Sequence, residues 1–98
     1  MSLILYKDGT YQEYSTVCDA CLWEHALTLE QLTEVVRQEQ GKAGLRDLPR
    51  RLARAQAQGC SSAIGLTLDD CIRSNRHGPD DTHMPAAEFI AKFLTLPT

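Results

Sequence analysis

The residues whose types and spacing come closest to a metal site lie between positions 18 and 25. Cys18 and Cys21 form a Cys-x-x-Cys pair, the spacing that lets two thiolates approach one zinc ion, and His25 lies one helical turn further on. A closed zinc site needs a second set of ligands of this kind. The other thiols and imidazoles form no second close pair; they are Cys60, Cys71, His77 and His83. We therefore expect no metal and no cofactor, with a zinc site on Cys18, Cys21 and His25 as the alternative.

The cysteines are expected to be reduced. The chain holds four of them, an even number that would fit disulfides in a secreted protein. Its first residues, however, lack the basic and long apolar stretches of a signal peptide. A redox Cys-x-x-Cys would begin a helix after a strand in an alternating β-α pattern, which this sequence lacks. The sequence thus predicts free thiols in an intracellular, cytoplasmic protein.

A polar stretch near the C-terminus brings histidines and aspartates together. His77 and His83 flank Asp80 and Asp81, so nitrogen and oxygen donors could share one loop. General acid–base chemistry requires such groups to be held rigidly, which a small exposed loop does not provide. The chain also lacks the Gly-x-Ser-x-Gly, His-Glu-x-x-His and glycine-rich phosphate-binding motifs. We predict that it is not an enzyme.

Charge is sorted along the chain. Residues 1–40 carry seven acidic and two basic side chains, residues 41–76 carry three acidic and seven basic, and residues 77–98 carry three acidic and one basic. The net charge is −3, so the sorting makes the domain strongly dipolar. Such a field steers association with charged partners, although it identifies neither a fold nor a reaction.

The acidic first half leads to the main functional hypothesis, which is binding to another protein. We expect an inhibitor or adaptor that docks on a basic surface, such as a nucleic-acid-binding groove; phage and plasmid anti-defence proteins are often small acidic domains of this kind. The single tryptophan is expected mainly in the core, although an exposed one would anchor an interface, and the tyrosines could form a patch at a sheet edge open to strand addition. The residues predicted to bind the partner are Tyr11, Tyr14, Asp19, Trp23, Glu24, Glu30 and Glu34.

The basic second half supports an alternative, a DNA-binding regulator. Arginines on two predicted helices could contact nucleic acid, and the two helices around Gly59 could form a helix-turn-helix. These are Arg50, Arg51, Arg54, Arg73 and Arg76. The connection over residues 58–66 is longer than that motif normally allows, and no aromatic residues are interleaved with the arginines. A further interpretation is that the arginines lie beside the acidic face of the preceding helix and neutralise it.

The elements that must position these residues begin with a β-hairpin. Residues 3–14 contain two β-prone runs on either side of Asp8-Gly9, where glycine supplies the positive φ of a tight hairpin turn. Residues 15–27 fit either a short helix or a third strand through residues 16–18. Both interpretations remain open at this point.

Capping residues and periodic apolar positions then predict helices. Thr28 and Gln31 have capping-box spacing, and the helix that they begin should end near Gly41. After a short connection, a second helix is predicted with Asp47 as its N-cap and Pro49 in its first turn, where the missing N–H does no harm.

The rest of the chain completes a mostly helical pattern. Gly59 should end the second helix, Thr67 should cap a third, and Pro85 should open a fourth after an exposed loop. The predicted fold class is α+β, with an N-terminal β-hairpin packed on about four short α-helices in a single domain of residues 1–98. No run approaches the roughly 20 apolar residues that span a bilayer, so no membrane partner is expected.

Overall fold

The N-terminal hairpin forms as its turn sequence predicts. The computed structural model describes residues 2–78, 80, 82 and 84–97. Strand β1 (Ser2–Lys7) runs antiparallel to strand β2 (Thr10–Ser15). The connecting residues Asp8 and Gly9 both have positive φ, at 49° and 84°, the combination that matches a two-residue turn to the twist of its strands.

A third strand completes the sheet, although not where it was predicted. Residues 16–19 form turns, with Asp19 at a positive φ of 52°. Strand β3 (Ala20–Cys21) then pairs antiparallel with β2, which gives the strand order β1-β2-β3. Residues 15–27 therefore hold neither the short helix nor a strand through residues 16–18. The chain must first reverse direction before it can return along β2, and this moves the strand downstream.

Both outer edges of the sheet are hydrogen-bonded to later parts of the chain. On the β1 side, Tyr6 N–H donates to Gly59 O at 3.0 Å, and Ser61 N–H donates to Ile4 O at 2.8 Å. On the β3 side, Cys21 N–H donates to a histidine ring. Because these backbone groups are already paired, strand addition from another chain, considered above, has no open edge at these positions.

The sheet is buried on both faces, since alternate residues of a strand point to opposite sides. Ile4 and Tyr11 join one core cluster, with the first helix. Leu5 and Tyr14 join a second cluster, with the C-terminal helices. All residues from Tyr11 to Tyr14 are consequently buried, and the polar side chains among them must find hydrogen-bond partners inside the protein.

Helix α1 (Leu29–Gln58) begins as predicted and is kinked where the first helix was expected to end. The Thr28 hydroxyl accepts from Gln31 N–H, and the Gln31 side chain accepts from Thr28 N–H. At Gly41 the backbone leaves helical geometry, with φ at 64° and ψ at −151°. The positive φ makes glycine the residue suited to this kink.

The connection and caps predicted after Gly41 are wrong. Residues 42–58 continue as helix, so Asp47 and Pro49 lie inside α1. A single glycine suffices to redirect the chain, and no loop is needed for the second half to reach the core. Gly59 does end the helix as predicted, in the left-handed conformation with φ at 81° and its N–H bonded to Ala55 O.

The two halves of α1 approach closely beside the kink. Val36 before the kink and Leu48 after it belong to the same core cluster. Gly44 is buried, and a Cβ atom placed there would lie 2.4 Å from Gln40 Cβ and 3.1 Å from Val36 Cγ1. The close packing of the two halves therefore depends on the missing side chain at Gly44.

Two short helices follow. Helix α2 (Leu68–Ser74) begins with a capping box of Thr67 and Asp70, and helix α3 (Ala86–Phe93) follows Pro85. The described residues thus form three helices and a three-stranded antiparallel sheet. The α+β class is confirmed, and the predicted four helices become three because the first two merge across the kink. Of the helices described, none is both long enough and apolar enough to cross a membrane.

One buried amide ties the sheet to the C-terminal helix. Gln12 is fully buried, and its Nε2 lies 3.1 Å from Trp23 O, 3.2 Å from His25 O and 3.0 Å from Phe93 O. Its Oε1 accepts from the backbone N–H groups of Glu13 at 3.0 Å and Trp23 at 3.1 Å. Gln12 therefore satisfies backbone groups of its own strand, of the loop at residues 23–25 and of the end of α3.

We predict that Gln12→Met lowers the free energy of unfolding by about 3–5 kcal/mol, because it leaves several buried backbone groups without partners. Chemical denaturation measures the change. Gln38→Met is the matched control: Gln38 is exposed, its side-chain amide donates to the Glu34 carboxylate at 3.0 Å, and its loss should cost about 0.5 kcal/mol or less. Equal effects of the two substitutions would contradict the role given to Gln12.

A second prediction concerns Gly44. Gly→Ala at an exposed helical site stabilises a protein by up to about 1 kcal/mol, but Gly44→Ala should destabilise by about 1–3 kcal/mol because the added methyl collides with Gln40 and Val36. Thermal or chemical unfolding gives the sign. The exposed neighbour serves as control, since Lys42→Ala should change stability by only about 0.5 kcal/mol.

Candidate functional site

Two of the predicted acidic residues, Glu24 and Glu30, are exposed and form no ion pair with the described residues. Glu34 differs, because it accepts hydrogen bonds from the Arg37 guanidinium and from the Gln38 amide. The hydrogen bond from Arg37 is the main cause that lowers the pKa of Glu34. Glu34 is thus neutralised locally, whereas Glu24 and Glu30 keep uncompensated charge.

The loop that carries Glu24 is held from beneath by buried side chains. Trp23 is half-buried, with its Nε1 donating to Glu13 Oε1 at 3.1 Å and its backbone N–H and C=O both bonded to Gln12. Leu22, next to it, is 52% exposed. The loop therefore presents Leu22 and Glu24 to solvent on a rigid support.

Tyr11 and Tyr14 do not belong to this surface, so their burial does not support their predicted role in partner binding. Only 4% and 2% of their surfaces are exposed, because β2 is covered on both faces. The Tyr14 hydroxyl forms no hydrogen bond with the described residues. Burial raises the pKa of Tyr14, and the nearby carboxylate of Asp19 raises it further. Asp19 is accordingly partly buried beside Tyr14.

A cleft of about 440 Å³ opens beside the loop. Its lining combines aromatic and apolar side chains with polar groups, including one charge of each sign. The residues are Cys21, Leu22, Trp23, Glu24, His77, Lys92 and Phe93. Residues 21–24, His77 and the end of α3 are far apart in the sequence, and the fold brings them together around β3 and α3.

His77 is fixed in one wall of this cleft. Its ring centroid lies 4.2 Å from that of Phe93, and its Nε2 accepts the backbone N–H of Cys21 at 2.6 Å. This acceptor role requires a neutral ring that carries its proton on Nδ1. Burial lowers the pKa of His77, and the positive charge of Lys92 adds to the effect.

The alternative zinc ligands are not assembled into a site. Cys18 is exposed in the turn before β3. Burial raises the pKa of Cys21 to about 12, which disfavours the thiolate that would bind zinc. The His25 Nδ1 lies 2.9 Å from the carbonyl oxygen of Ala26. Within the described part of the chain, no group of three His, Cys, Asp or Glu side chains could hold a metal ion.

Cys60 and Cys71 lie in the core, and all four cysteines are free thiols. The Cys71 S–H points at the Cys60 sulfur, with 3.8 Å between the two Sγ atoms. This hydrogen bond and burial both raise the pKa of Cys71. The pair fills space as small apolar side chains do.

The polar loop after α2 is anchored rather than fully exposed. Asn75 is only 1% exposed, and its side chain binds Ile72 O and the backbone N–H of His77. Asp80 is exposed. Asp81 and His83, the other members of the polar constellation considered above, lie outside the described residues.

The arginines of the nucleic-acid alternative face different environments. Arg50 pairs with Asp47 at 3.9 Å, and Arg73 pairs with Asp70. The other three have different environments. Arg51 is buried, with 9% of its surface exposed, Arg54 donates a hydrogen bond to Ser61 O, and Arg76 is exposed to solvent. The residues between Gly59 and Thr67, which would have to form the turn of a helix-turn-helix, partly pair with β1 instead.

Neutralisation of the acidic helix face by the arginines is not seen among the described residues. The ion pairs there are Glu34 with Arg37, Asp47 with Arg50, and Asp70 with Arg73, each three residues apart. Each pair is local to one helical turn. The charge sorting along the chain is therefore preserved in the folded protein.

Sequence reasoning missed Gln12, and it named Arg51 and His77 as candidates without predicting where the fold places them. Arg51 carried a readable signal, because it falls at helical spacing between the buried residues Leu48 and Ala55. Gln12 sat in an imperfect alternation that could have indicated burial on both faces of β2. The position of His77 beside β3 had no local signal, since it depends on pairing between distant segments.

No family model matches this chain, and neither the curated proteins nor the solved structures that were searched contain a match to it. Its function must be inferred from the arrangement of its own residues.

The lowered pKa of His77 predicts how stability depends on pH. The unfolded chain binds the proton at about pH 6.5, whereas folded His77 binds it only at lower pH. Stability should therefore be constant above about pH 6.5 and fall as the pH drops towards the folded-state pKa. Urea denaturation between about pH 8 and pH 5.5 covers this window, above the range in which carboxylates titrate.

His77→Gln should flatten this pH profile, and His25→Gln should leave it unchanged. His25 is the matched control because it is an exposed histidine on the loop that carries Trp23 and Glu24. A profile that falls equally in the wild type and in His77→Gln would show that another group is responsible.

Proposed function

We propose that this chain is a non-enzymatic protein-binding module, an inhibitor or adaptor, that docks on a basic surface of another protein. The docking region is the Leu22–Glu30 surface, defined by Leu22, Trp23, Glu24, Leu29 and Glu30. The observation that carries the proposal is the combination of uncompensated carboxylates with exposed apolar side chains on a rigidly held loop and on the first turn of the helix that follows it.

The composition of this surface suits a basic partner. Leu22 is 52% exposed and lies two residues before the exposed Glu24, and Leu29 is 44% exposed and lies directly before the exposed Glu30. Interfaces gain most of their free energy from buried apolar anchors, while charged residues around them provide specificity and faster association. The glutamates would meet lysine or arginine on the partner while the leucines are buried.

The support beneath the loop favours binding as well. Gln12 holds the backbone of Trp23 and His25, and Glu13 holds the Trp23 indole. A surface fixed before binding loses less conformational freedom when the complex forms. The neighbouring cleft, walled by Trp23 and Phe93, could receive an apolar side chain of the partner.

The class of partner follows from charge. A nucleic-acid-binding protein presents the kind of basic groove that an acidic surface can occupy, and a small inhibitor from a phage or plasmid would act in this way. Exposed charges are screened by salt. The proposal therefore implies binding that weakens as ionic strength rises.

Capture from cells with charge-reversed variants tests the proposal. The Glu24→Lys, Glu30→Lys double variant should lose a protein that the wild type retains at about 0.05 M salt, because four units of charge change on the docking surface. The captured protein, once purified, should bind the wild type in calorimetry with an affinity that falls with salt.

The control carries the same charge change elsewhere. Glu39 is exposed like Glu24, and Glu88 lies in the first turn of α3 as Glu30 lies in the first turn of α1. Glu39→Lys with Glu88→Lys should keep the partner. Loss of the partner from both double variants, or binding that resists salt, would contradict the proposal, and recovery of nucleic acid in place of protein would favour the DNA-binding alternative.

A further inference from the structure

Arg51 is a charged residue at a position where helical periodicity calls for an apolar one. It lies between Leu48 and Ala55 on the core-facing side of α1, and only 9% of its surface is exposed. Residues three and four apart share one face of a helix. Burial of a guanidinium is unfavourable unless an anion and hydrogen-bond acceptors compensate it.

The described residues do not supply that compensation. Arg51 forms no ion pair with any of them, and one of its N–H groups donates a long hydrogen bond of 3.4 Å to Ser2 O. The buried carboxylate of Glu13 accepts instead from Ser2 Oγ at 2.9 Å and from Trp23 Nε1 at 3.1 Å. Most of the donors of the Arg51 guanidinium therefore remain available to a ligand.

A second guanidinium enters the same cleft, which has a volume of about 290 Å³. Arg54 donates from Nε to Ser61 O at 2.8 Å, which orients its side chain and leaves the terminal N–H groups without a described partner. Asp47 also lines the cleft, but its carboxylate pairs with Arg50. The polar lining consists of Ser2, Gln40, Asp47, Arg51, Arg54 and Ser61.

We infer that this cleft binds the phosphate group of a small phosphate monoester between Arg51 and Arg54. The planar fork of a guanidinium matches phosphate oxygens in pairs. The two guanidinium groups together offer more hydrogen-bond donors than one carboxylate can accept. A phosphate monoester carries close to two negative charges, which balance the two positive charges of the arginines. The volume lies near the lower end of ligand pockets, roughly 300 Å³, which fits a compact ester better than a polymer.

This site is independent of the proposed function. It shares no residue with the Leu22–Glu30 surface, so the failure of one proposal leaves the other standing. The phosphate site also differs from the nucleic-acid alternative, because only two of the five arginines, Arg51 and Arg54, contribute to it and both line a cleft.

Titration of the full ¹⁵N-labelled chain with inorganic phosphate, and separately with glycerol phosphate, tests the inference. The Arg51 and Arg54 Nε–Hε resonances should shift and saturate with a dissociation constant of about 1 mM, ordinary for a single small anion. Tighter binding of glycerol phosphate would assign the ester as the ligand, and equal binding would assign the phosphate group alone; both support the site.

Substitutions separate this site from general attraction between charges. Arg51→Gln and Arg54→Gln should each weaken binding by about tenfold or more, since each removes one charged fork. Arg46→Gln removes the same charge from an exposed position on the same helix and should leave the affinity unchanged. Equal losses in all three variants would overturn the inference, as would the absence of saturation at about 50 mM phosphate.

Two further results would also overturn it. If a DNA duplex binds while neither phosphate probe does, the arginines contact a polymer backbone. If Arg51→Met lowers the thermal midpoint sharply in phosphate-free buffer, Arg51 has an internal counter-charge and a structural role; the inference expects little change, because the variant removes an uncompensated buried charge. If an Arg51 variant does not fold, the phosphate titration of Arg54→Gln still tests the inference.

Discussion

The amide of Gln12 is the contact on which the rest of this structure depends. It bonds to the backbone of Trp23, His25 and Phe93 from the centre of the sheet. The segment after β3 runs beside β2, with a regular bridge resuming only at Leu27, so its intervening carbonyls would be buried without partners. Gln12 substitutes for the missing strand, and in the same step it attaches the end of α3 to the sheet. The cleft between the Trp23 loop and α3 is a consequence of that attachment.

Two-sided burial of a very small sheet explains the unusual polar interior. A three-stranded sheet with one strand of two residues has little pairing of its own, so both faces must be covered by helices for it to be stable. The central strand then carries Gln12 towards α3 and Glu13 towards α1, and each needs internal partners. Glu13 finds them in Ser2 and the Trp23 indole. The same buried network that solves this problem makes the Trp23 loop rigid.

The sequence predicts the features that depend on a few neighbouring residues. The Asp8-Gly9 turn, the Thr28 and Thr67 caps and the Gly59 stop are all local rules, and the structure agrees with them. The errors arise where long-range pairing decides. Tyr11 and Tyr14 are buried because α1 and the C-terminal helices cover opposite faces of β2. The third strand forms at Ala20–Cys21 because residues 16–18, where a strand was predicted, form the turn that precedes it. For the candidate sites, sequence reasoning found Glu24 and Glu30 but not the burial of Arg51, since exposure depends on what α1 packs against.

The distribution of ion pairs explains why charge sorting survives folding. Acidic and basic residues three apart in a helix neutralise each other before any tertiary contact forms, as with Glu34 and Arg37, and such pairs cancel charge only within their own turn. The carboxylates of Glu24 and Glu30 and the guanidinium groups of Arg51 and Arg54 form no such pair among the described residues, and the fold does not bring the two sets into contact. They also differ in environment: the carboxylates lie in water, where salt screens them, whereas Arg51 is buried and is screened much less. An acidic surface of this kind is suited to steering a large partner, and a sheltered pair of guanidinium groups is suited to holding a small anion, so the two proposed sites respond differently to ionic strength within one small domain.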